Sequence, residues 1–291
     1  MENLRGYYVN LAAAQERRTH MESELRRVGI EGIYARFEAI DGRTLPLPSH
    51  VRVGPGKWGI WMTWRRLLDQ NAGADTHLHI LEDDIVFSDR FGSFARGLDE
   101  GLENLRAEFR GWDILYTSML TNPHPNVVQH MLRTLQDAKR DGKIRLINAK
   151  GPYLASNASV LINKESVAKL RSCLGDDVAG RKPLDLHIRT LLHSGTLKGL
   201  VTVPYLTKLS DLHLSSQIDQ FEKVDKPERL VQAWNIFDGM FFDGADLPAL
   251  KEQIAILSQN GALEGLEGIE DNLEIYKHFV THILAAEKII E

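Results

Sequence analysis

The segment LHILEDD at residues 78–84 places a short apolar run directly before three consecutive carboxylates. Such a run, closed by charged residues, is consistent with a buried β-strand. In open α/β sheets, ligands bind at the carboxyl ends of the strands. The segment therefore predicts an α/β fold in which Glu82, Asp83 and Asp84 lie at the ligand-binding edge of a sheet.

Strand and helix patterns alternate on both sides of this segment. Runs of β-branched and aromatic residues predict strands over residues 7–11, 34–40, 77–81, 113–116, 144–149, 153–162 and 200–205. Helical spacing of apolar residues predicts helices over residues 14–28, 60–70, 91–109, 127–140, 164–173 and 184–193. Residues 45–59 are rich in proline and glycine and are predicted to be a loop. The alternation predicts a mostly parallel sheet with helices on both faces.

The length of 291 residues suits one large α/β domain or two small ones. After Pro227 the pattern changes to helices alone, so we predict an α/β domain over residues 1–226 and a helical C-terminal extension over residues 227–291. The extension has a net charge of −8, against +3 for the rest of the chain. Its cluster of apolar side chains predicts core packing, with an interface between two copies of the chain as the alternative. The cluster comprises Phe237, Met240, Phe241 and Phe242.

Composition excludes several classes of protein. The net charge of −5 lacks the basic character of a nucleic-acid-binding protein. The single cysteine, Cys173, allows no intramolecular disulfide, which is typical of a reducing compartment. No stretch reaches the ~20 apolar residues of a transmembrane helix, and no apolar leader is recognisable. We therefore expect a cytoplasmic protein.

The three adjacent carboxylates repel one another, so they are tolerable only near solvent or a bound cation. Carboxylate oxygens are preferred ligands of Mg²⁺ and Mn²⁺, which leave positions open for phosphate oxygens. Because side chains alternate along a strand, we expect Glu82 and Asp84 on one face and Asp83 on the other. This assigns Asp84, with Glu82, to a metal ion, and Asp83 to a ribose hydroxyl or a structural partner. The alternative is a solvated turn.

An ordered set of motifs resembles glycosyltransferase family 25, the lipopolysaccharide-biosynthesis glycosyltransferases that are related to collagen β-galactosyltransferases. The motifs are YVNL at 8–11, RR at 17–18, FEAIDG at 37–42, LEDD at 81–84, WDIL at 112–115, YLAS at 153–156, PLD at 183–185 and SSQI at 215–218. The resemblance covers residues 6–218. Each motif is weak alone, and the order of the set makes it specific.

One stretch departs from the family pattern. Family members carry a glycine-cysteine pair and then a serine-histidine pair in a helix before the acidic strand. Here Ile60 stands in place of the cysteine, and Thr63 and Trp64 stand in place of the serine and histidine. The role of that histidine is either absent or taken by another residue. The departure leaves the identity of the sugar donor and of the acceptor open, and it suggests a divergent branch of the family.

The resemblance implies a GT-A fold, a Rossmann-like α/β domain that binds a nucleotide sugar together with Mn²⁺ or Mg²⁺. It implies an inverting transferase that moves a hexose, with galactose as the first expectation, from a UDP-sugar. The acceptor would be a glycan or a lipopolysaccharide-type saccharide. If the acceptor is lipid-linked, peripheral contact with the inner face of the membrane follows.

The resemblance and the residue types together assign the chemistry of the site. Asp84 would bind the metal ion that stabilises the leaving diphosphate. Asp185, at a helix start after Pro183, would accept the proton of the acceptor hydroxyl, with a first-turn acid matched to the helix dipole as the alternative. His213, just before the serine pair, would be a late metal ligand, unless it is an ordinary loop residue.

The remaining assignments concern the nucleotide. Asn10, at the end of the first strand, and Asp41 would hold the nucleotide base, although Asp-Gly is also a common turn. Arg17 or Arg18 would bind phosphate through the guanidinium fork. Because neighbouring helix residues point in different directions, only one of them can face the cleft, and Arg17 is preferred.

Two other functions stay open from the sequence. A catalytically inactive GT-A-like module for binding or assembly is favoured by the departure at Thr63 and Trp64, and the intact acidic cluster argues against it. A metal-dependent nucleotidyltransferase or phosphohydrolase uses a similar acidic strand end. Affinity for a nucleoside diphosphate separates the transferase from the inactive module, and transfer to a sugar rather than to water separates it from the hydrolase.

Overall fold

The computed structural model describes residues 3–98, 109–122, 124–212, 235–246, 248–250 and 252. The strands are β1 Leu4–Asn10, β2 Tyr34–Glu38, β3 His77–Glu82, β4 Ile85–Phe87, β5 Ile114–Tyr116, β6 Leu120–Thr121, β7 Arg145–Asn148, β8 Tyr153–Ala155, β9 Ser159–Ile162, β10 Gly199–Val203 and β11 Thr207–Leu209. The longer helices are α1 Gln15–Arg27, α2 Pro55–Asn71, α3 Phe91–Arg96, α4 Pro125–Asp141, α5 Val167–Cys173 and α6 Leu184–Ser194.

Seven strands form one sheet in the order β2-β1-β3-β9-β5-β10-β7. Strand β1 pairs in parallel with β2 and β3, and β5 pairs in parallel with β10. Strands β9 and β7 run antiparallel to their neighbours. Strand β4 pairs with β11, and β6 with β8, in two small sheets. The predicted α/β class and the mostly parallel sheet are confirmed.

The central strand β3 is buried on both faces. Ile80 packs into the main core, which includes apolar side chains of α2, α4, α5 and α6. Its neighbour Leu81 packs into a second core on the other face, with Met21 of α1 and Phe91 of α3. Strands covered on both faces read as continuous apolar runs rather than as alternating patterns. This explains why the apolar run at residues 78–81 indicates a buried strand of an α/β fold.

His79 is the polar residue in this run, and both of its ring nitrogens have hydrogen-bond partners within the chain. Its Nδ1 lies 2.7 Å from the hydroxyl of Tyr34, and its Nε2 lies 3.0 Å from Oγ of Ser159. Burial lowers the pKa of His79 to about 3, so the ring is neutral. His79 is therefore a structural residue of the sheet.

Several predicted elements differ from the structure. Helix α2 begins at Pro55, within the predicted loop, because a proline in the first helical turn lacks an N–H that would have no partner there. The strand predicted over residues 153–162 is interrupted at Ser156, whose φ is +76°. Strands β4, β6 and β11 were not predicted, since two or three residues give no pattern. The helix predicted over residues 91–109 corresponds to α3, and residues 99–108 lie outside the described residues.

Residues 235–246 pack against the α/β core. Phe237 and Phe241 are buried in the main core, and Phe242 forms a parallel bridge with Tyr205. This confirms the core-packing prediction for the cluster. The predicted domain boundary lies outside the described residues. In the described part of the chain, no helix is long and apolar enough to cross a membrane.

Candidate active site at the acidic turn

A cavity of about 170 Å³ opens at the carboxyl ends of β1 and β3. Its walls come from these strand ends, the segment after β2, the first half of α2 and the turn after β3. Val9, Asp41, Gly59, Trp64 and Glu82 are among the lining residues. The cavity lies at the sheet edge where the sequence predicted ligand binding.

Two glycines allow α2 to approach the segment after β2. A Cβ atom on Gly42 would lie 1.8 Å from the carbonyl oxygen of Pro55, and one on Gly59 would lie 2.5 Å from that of Ile40. Thr63 joins the same two segments, because its Oγ1 accepts a hydrogen bond from the Ile40 N–H at 2.9 Å and donates one to the Gly59 carbonyl at 2.7 Å. The departure from the family pattern at Thr63 is therefore part of the cavity wall.

The turn between β3 and β4 carries Asp83 and Asp84, because β3 ends at Glu82. Nη1 of Arg17 donates to Oδ1 of Asp83 at 2.8 Å and to Oδ2 of Asp84 at 2.9 Å. One guanidinium nitrogen thus contacts both carboxylates, and the prediction that the two aspartates face opposite sides is wrong. Side-chain alternation applies to extended backbone, and the chain turns at these residues.

Arg17 has a third contact, since its Nη2 donates to the carbonyl oxygen of Leu212 at 2.8 Å. The side chain is only 11% exposed. Burial opposes its charge, but Asp84 and Asp83 outweigh burial and raise the pKa of Arg17. Of the two arginines, Arg17 is the one at the cavity, whereas Arg18 pairs with an acid on the exposed face of α1. The phosphate contact of Arg17 stays a prediction.

Asn10 orders the acidic turn from the end of β1. Its Nδ2 donates to Oδ2 of Asp83 at 2.7 Å, and its Oδ1 accepts from Nε of Arg36 at 2.9 Å. With Arg17 on the other oxygen, both carboxylate oxygens of Asp83 have partners within the chain. From the sequence, Asn10 was predicted to lie at the end of the first strand and to hold the nucleotide base, and its contact with Asp83 was not predicted. Its role toward a nucleotide stays a prediction.

Glu82 is half-buried in the cavity wall. Burial, then repulsion from Asp84, Asp83 and Asp185, raises the pKa of Glu82 to about 8. A carboxyl group with that pKa keeps its proton at neutral pH, and a cation bound nearby would favour the charged form instead. Carboxyl groups tuned toward neutral pH are suited to proton transfer.

A second carboxylate approaches from the first turn of α6, where Asp185 lies. Asn157 fixes this turn when its amide is oriented to satisfy both of its polar atoms: the oxygen then accepts from the Asp185 N–H at 3.3 Å, and the nitrogen donates to the hydroxyl of Tyr153 at 3.0 Å. Tyr153 in turn donates to the carbonyl of Ser156 at 3.0 Å. Pro183, at the N-cap of α6, offers no side-chain hydrogen bond, so Asn157 from another part of the chain caps this helix instead.

Asn157 lies in a three-residue turn, 156–158, between β8 and β9, and this turn also holds β3. The Glu82 N–H donates to the carbonyl of Ala158 at 2.8 Å. Glu82 and Asp185 are therefore both anchored to one turn. The role of this turn was not predicted from the sequence, and the available signal was the polar pair Ser156-Asn157 inside an apolar strand pattern.

Asp41 lies at the cavity edge and also stabilises its own turn. Its Oδ1 accepts from the backbone N–H of Arg43 at 3.0 Å and from Nε of Arg43 at 2.8 Å. The hydrogen bond from the Arg43 side chain lowers the pKa of Asp41. These contacts fit the turn role that was the alternative for Asp41, and a contact with a nucleotide stays a prediction.

The carboxylate donors of the turn suit a hard divalent ion in type. Among the described residues, no group of three or more His, Cys, Asp and Glu side chains is arranged to hold a metal ion. His213, the predicted late ligand, lies outside the described residues. Mg²⁺ is commonly bound by one or two carboxylates together with substrate phosphates. The carboxylates of the turn therefore suit such an ion in residue type, and the binding of a metal ion stays a prediction.

The comparisons with known proteins give no relative from which a function can be transferred. No protein-family model matches this chain, and the search of curated proteins finds no similar sequence. The resemblance to glycosyltransferase family 25 therefore rests on the ordered motifs alone, and any statement of function rests on the geometry of the site.

Proposed function

We propose that this chain is a nucleotide-sugar-dependent glycosyltransferase with a GT-A fold. In this proposal, it moves a hexose, with galactose as the first donor to test, from a UDP-sugar to a glycan or lipopolysaccharide-type acceptor. The observation that carries the proposal is the acidic turn at the carboxyl edge of the parallel strands β1 and β3, directly beside a cavity. Ligand binding at this edge is general for open α/β sheets.

The side chains have separate roles in the proposed reaction. The cavity between α2 and residues 39–42 would take the nucleoside, with Asn10 and Asp41 at its edge. Asp83 would face a ribose hydroxyl or stay the structural partner of Asn10 and Arg17, and Asp84 would face the diphosphate. A divalent ion bound by Asp84 and Glu82 would neutralise charge on the leaving diphosphate. Asp185, anchored beside Glu82, would accept the proton of the acceptor hydroxyl.

The inactive binding module is the second candidate, and one observation favours it. The guanidinium of Arg17 already pairs with Asp83 and Asp84 at 2.8 and 2.9 Å and offsets part of their charge. A domain that needs no metal ion could keep this ion pair permanently. Such a module would bind no nucleoside diphosphate in a metal-dependent way.

Calorimetric titration of the full chain with UDP, with and without Mn²⁺, tests the proposal. We expect Mn²⁺-dependent binding to the wild type and its loss in Asp84→Asn. The matched control is Asp75→Asn, which removes an exposed carboxylate near the opposite end of β3. It should bind as the wild type does.

GDP and CMP serve as alternative nucleotides in the same titration. If the wild type binds none of the three nucleotides, the transferase proposal is wrong and the inactive module is favoured. If it binds UDP and hydrolyses UDP-galactose without transfer to any saccharide acceptor, the phosphohydrolase is favoured instead.

A further inference from the structure

We propose that Arg17 is a built-in counter-cation of the acidic turn, which competes with a divalent ion for Asp84. The inference deepens the proposed function, because it concerns how the metal dependence of that same site is set. It rests on the contacts of one guanidinium, which binds Asp83 Oδ1, Asp84 Oδ2 and the Leu212 carbonyl.

The positive charge of Arg17 is stabilised by the acidic turn and not by its position in α1. Arg17 is the third residue of α1. A cation near a helix N-terminus is disfavoured by the helix dipole. Its burial adds a desolvation cost. Two carboxylates within 2.9 Å offset both costs.

The guanidinium and a metal ion on Asp84 would lie close together. A Mg²⁺-type ion binds oxygens at about 2.0–2.1 Å. Nη1 of Arg17 lies 2.9 Å from Oδ2 of Asp84, so the two cations would be held by the same carboxylate. Two cations that share one carboxylate repel each other strongly. Arg17 therefore weakens binding of the ion for as long as it contacts Asp84, and the repulsion is relieved when Arg17 leaves the carboxylate.

The side chain that leaves is already at the cavity. Arg17 lines it together with Asp83 and Asp84. Its planar fork matches the oxygens of a phosphate group. In this exchange, Arg17 passes from the carboxylates to the diphosphate as the ion takes its place. Without metal and nucleotide, Arg17 offsets part of the charge of the turn and keeps the turn ordered.

Binding of Mn²⁺ alone to the full chain, measured from the spin-resonance signal of free Mn²⁺, tests the inference without nucleotide or activity. We expect Arg17→Gln to bind Mn²⁺ roughly tenfold more tightly than the wild type or better, since a competing charge is removed. Arg18→Gln is the matched control, one residue away on the exposed face, and should bind as the wild type does. Without metal, Arg17→Gln should melt at a lower temperature, and Mn²⁺ should restore this loss.

Equal or weaker Mn²⁺ binding by folded Arg17→Gln would overturn the inference, and so would an absence of binding by both proteins. If circular dichroism shows that Arg17→Gln is unfolded, Arg17→Lys takes its place. A lysine retains the charge but has no second nitrogen to donate to the Leu212 carbonyl, so it is held less firmly at the carboxylates. It should bind Mn²⁺ several-fold more tightly, and unchanged binding would again reject the inference.

The two proposals fail independently. Tighter Mn²⁺ binding by Arg17→Gln, without UDP binding by any variant, leaves the counter-cation in place and rejects the transferase. Metal-dependent UDP binding by the wild type, with the same Mn²⁺ affinity in Arg17→Gln, supports the transferase and rejects the counter-cation.

Discussion

Nδ2 of Asn10 lies 2.7 Å from Oδ2 of Asp83, which joins the end of β1 to the turn after β3. The same nitrogen donates to the carbonyl of Ala14 at 3.0 Å, at the start of α1. Asn10 is 1% exposed, so water cannot replace these contacts. One buried amide therefore connects a strand, a helix and the acidic turn.

Replacement of Asn10 by alanine should lower the free energy of unfolding by about 1–3 kcal/mol, because it leaves buried polar partners unsatisfied. Urea unfolding measures the change. Asn126→Ala, on the exposed start of α4, is the control and should change stability by less than about 0.5 kcal/mol. Equal losses in the two variants would contradict a special role for Asn10.

The cavity wall should not tolerate a methyl group at Gly42. Gly42→Ala would place Cβ 1.8 Å from the backbone oxygen of Pro55, and backbone atoms cannot rotate away as a side chain can. We expect a loss of about 3 kcal/mol or more in thermal or urea unfolding. Gly151→Ala is the control, since nothing lies within 4 Å of the added atom. A Gly42→Ala protein of wild-type stability would show that α2 does not pack as described.

Glu82 should make stability fall as pH rises from about 4.5 to about 8. Its pKa is 4.5 in the unfolded chain and about 8 in the folded one, so the folded state binds the extra proton in this window. The contribution is complete below pH 4.5 and is lost by pH 8, with a slope of at most about 1.4 kcal/mol per pH unit.

Unfolding in urea at several pH values between 5 and 9 measures this slope. Glu82→Gln removes the titrating group and should flatten the profile over that range. The raised pKa would be contradicted if the free energy of unfolding of the wild type increased between pH 5 and 8. It would also be contradicted if the Glu82→Gln protein had the same slope as the wild type.

Ser156 should be replaceable by glycine with a gain in stability. Its φ of +76° lies in the left-handed region, which costs a residue with a side chain about 1–2 kcal/mol relative to glycine. We expect Ser156→Gly to stabilise the protein by about 0.5–1 kcal/mol, after the loss of the weak hydrogen bond to Oγ. Ser156→Val should do the opposite. A drop in melting temperature for the glycine variant would mean that the serine side chain outweighs the backbone strain.

The parts of the fold that the sequence predicted are those with a long, regular pattern. The strand before Glu82 and the helices α1, α4 and α6 have enough apolar residues at regular spacing to show their type. The start of α2 was not predicted, since Pro55 and Gly59 indicate a loop when neighbours are ignored. Their role depends on the segment after β2, which lies against the helix in space.

The candidate site shows the same division. The sequence predicted that Glu82, Asp83 and Asp84 follow a strand, and it brought Asn10, Arg17 and Asp185 into consideration by residue type and motif. It predicted the wrong faces for the aspartates, because a turn and a strand end cannot be told apart within three acidic residues. The anchoring turn at residues 156–158 was missed, since its partners are distant in the chain.

By itself the sequence determined the α/β class, the buried strand and the presence of three carboxylates at its end, because these depend on local hydrophobicity and spacing. Only the tertiary structure decided that Arg17 pairs with both Asp83 and Asp84 and that Glu82 and Asp185 share an anchor. The contacts of Arg17 join residues that are 66 and 67 positions apart, and their energy depends on burial, which is a property of the packed chain. Charge and desolvation act through space, so no local pattern can specify them.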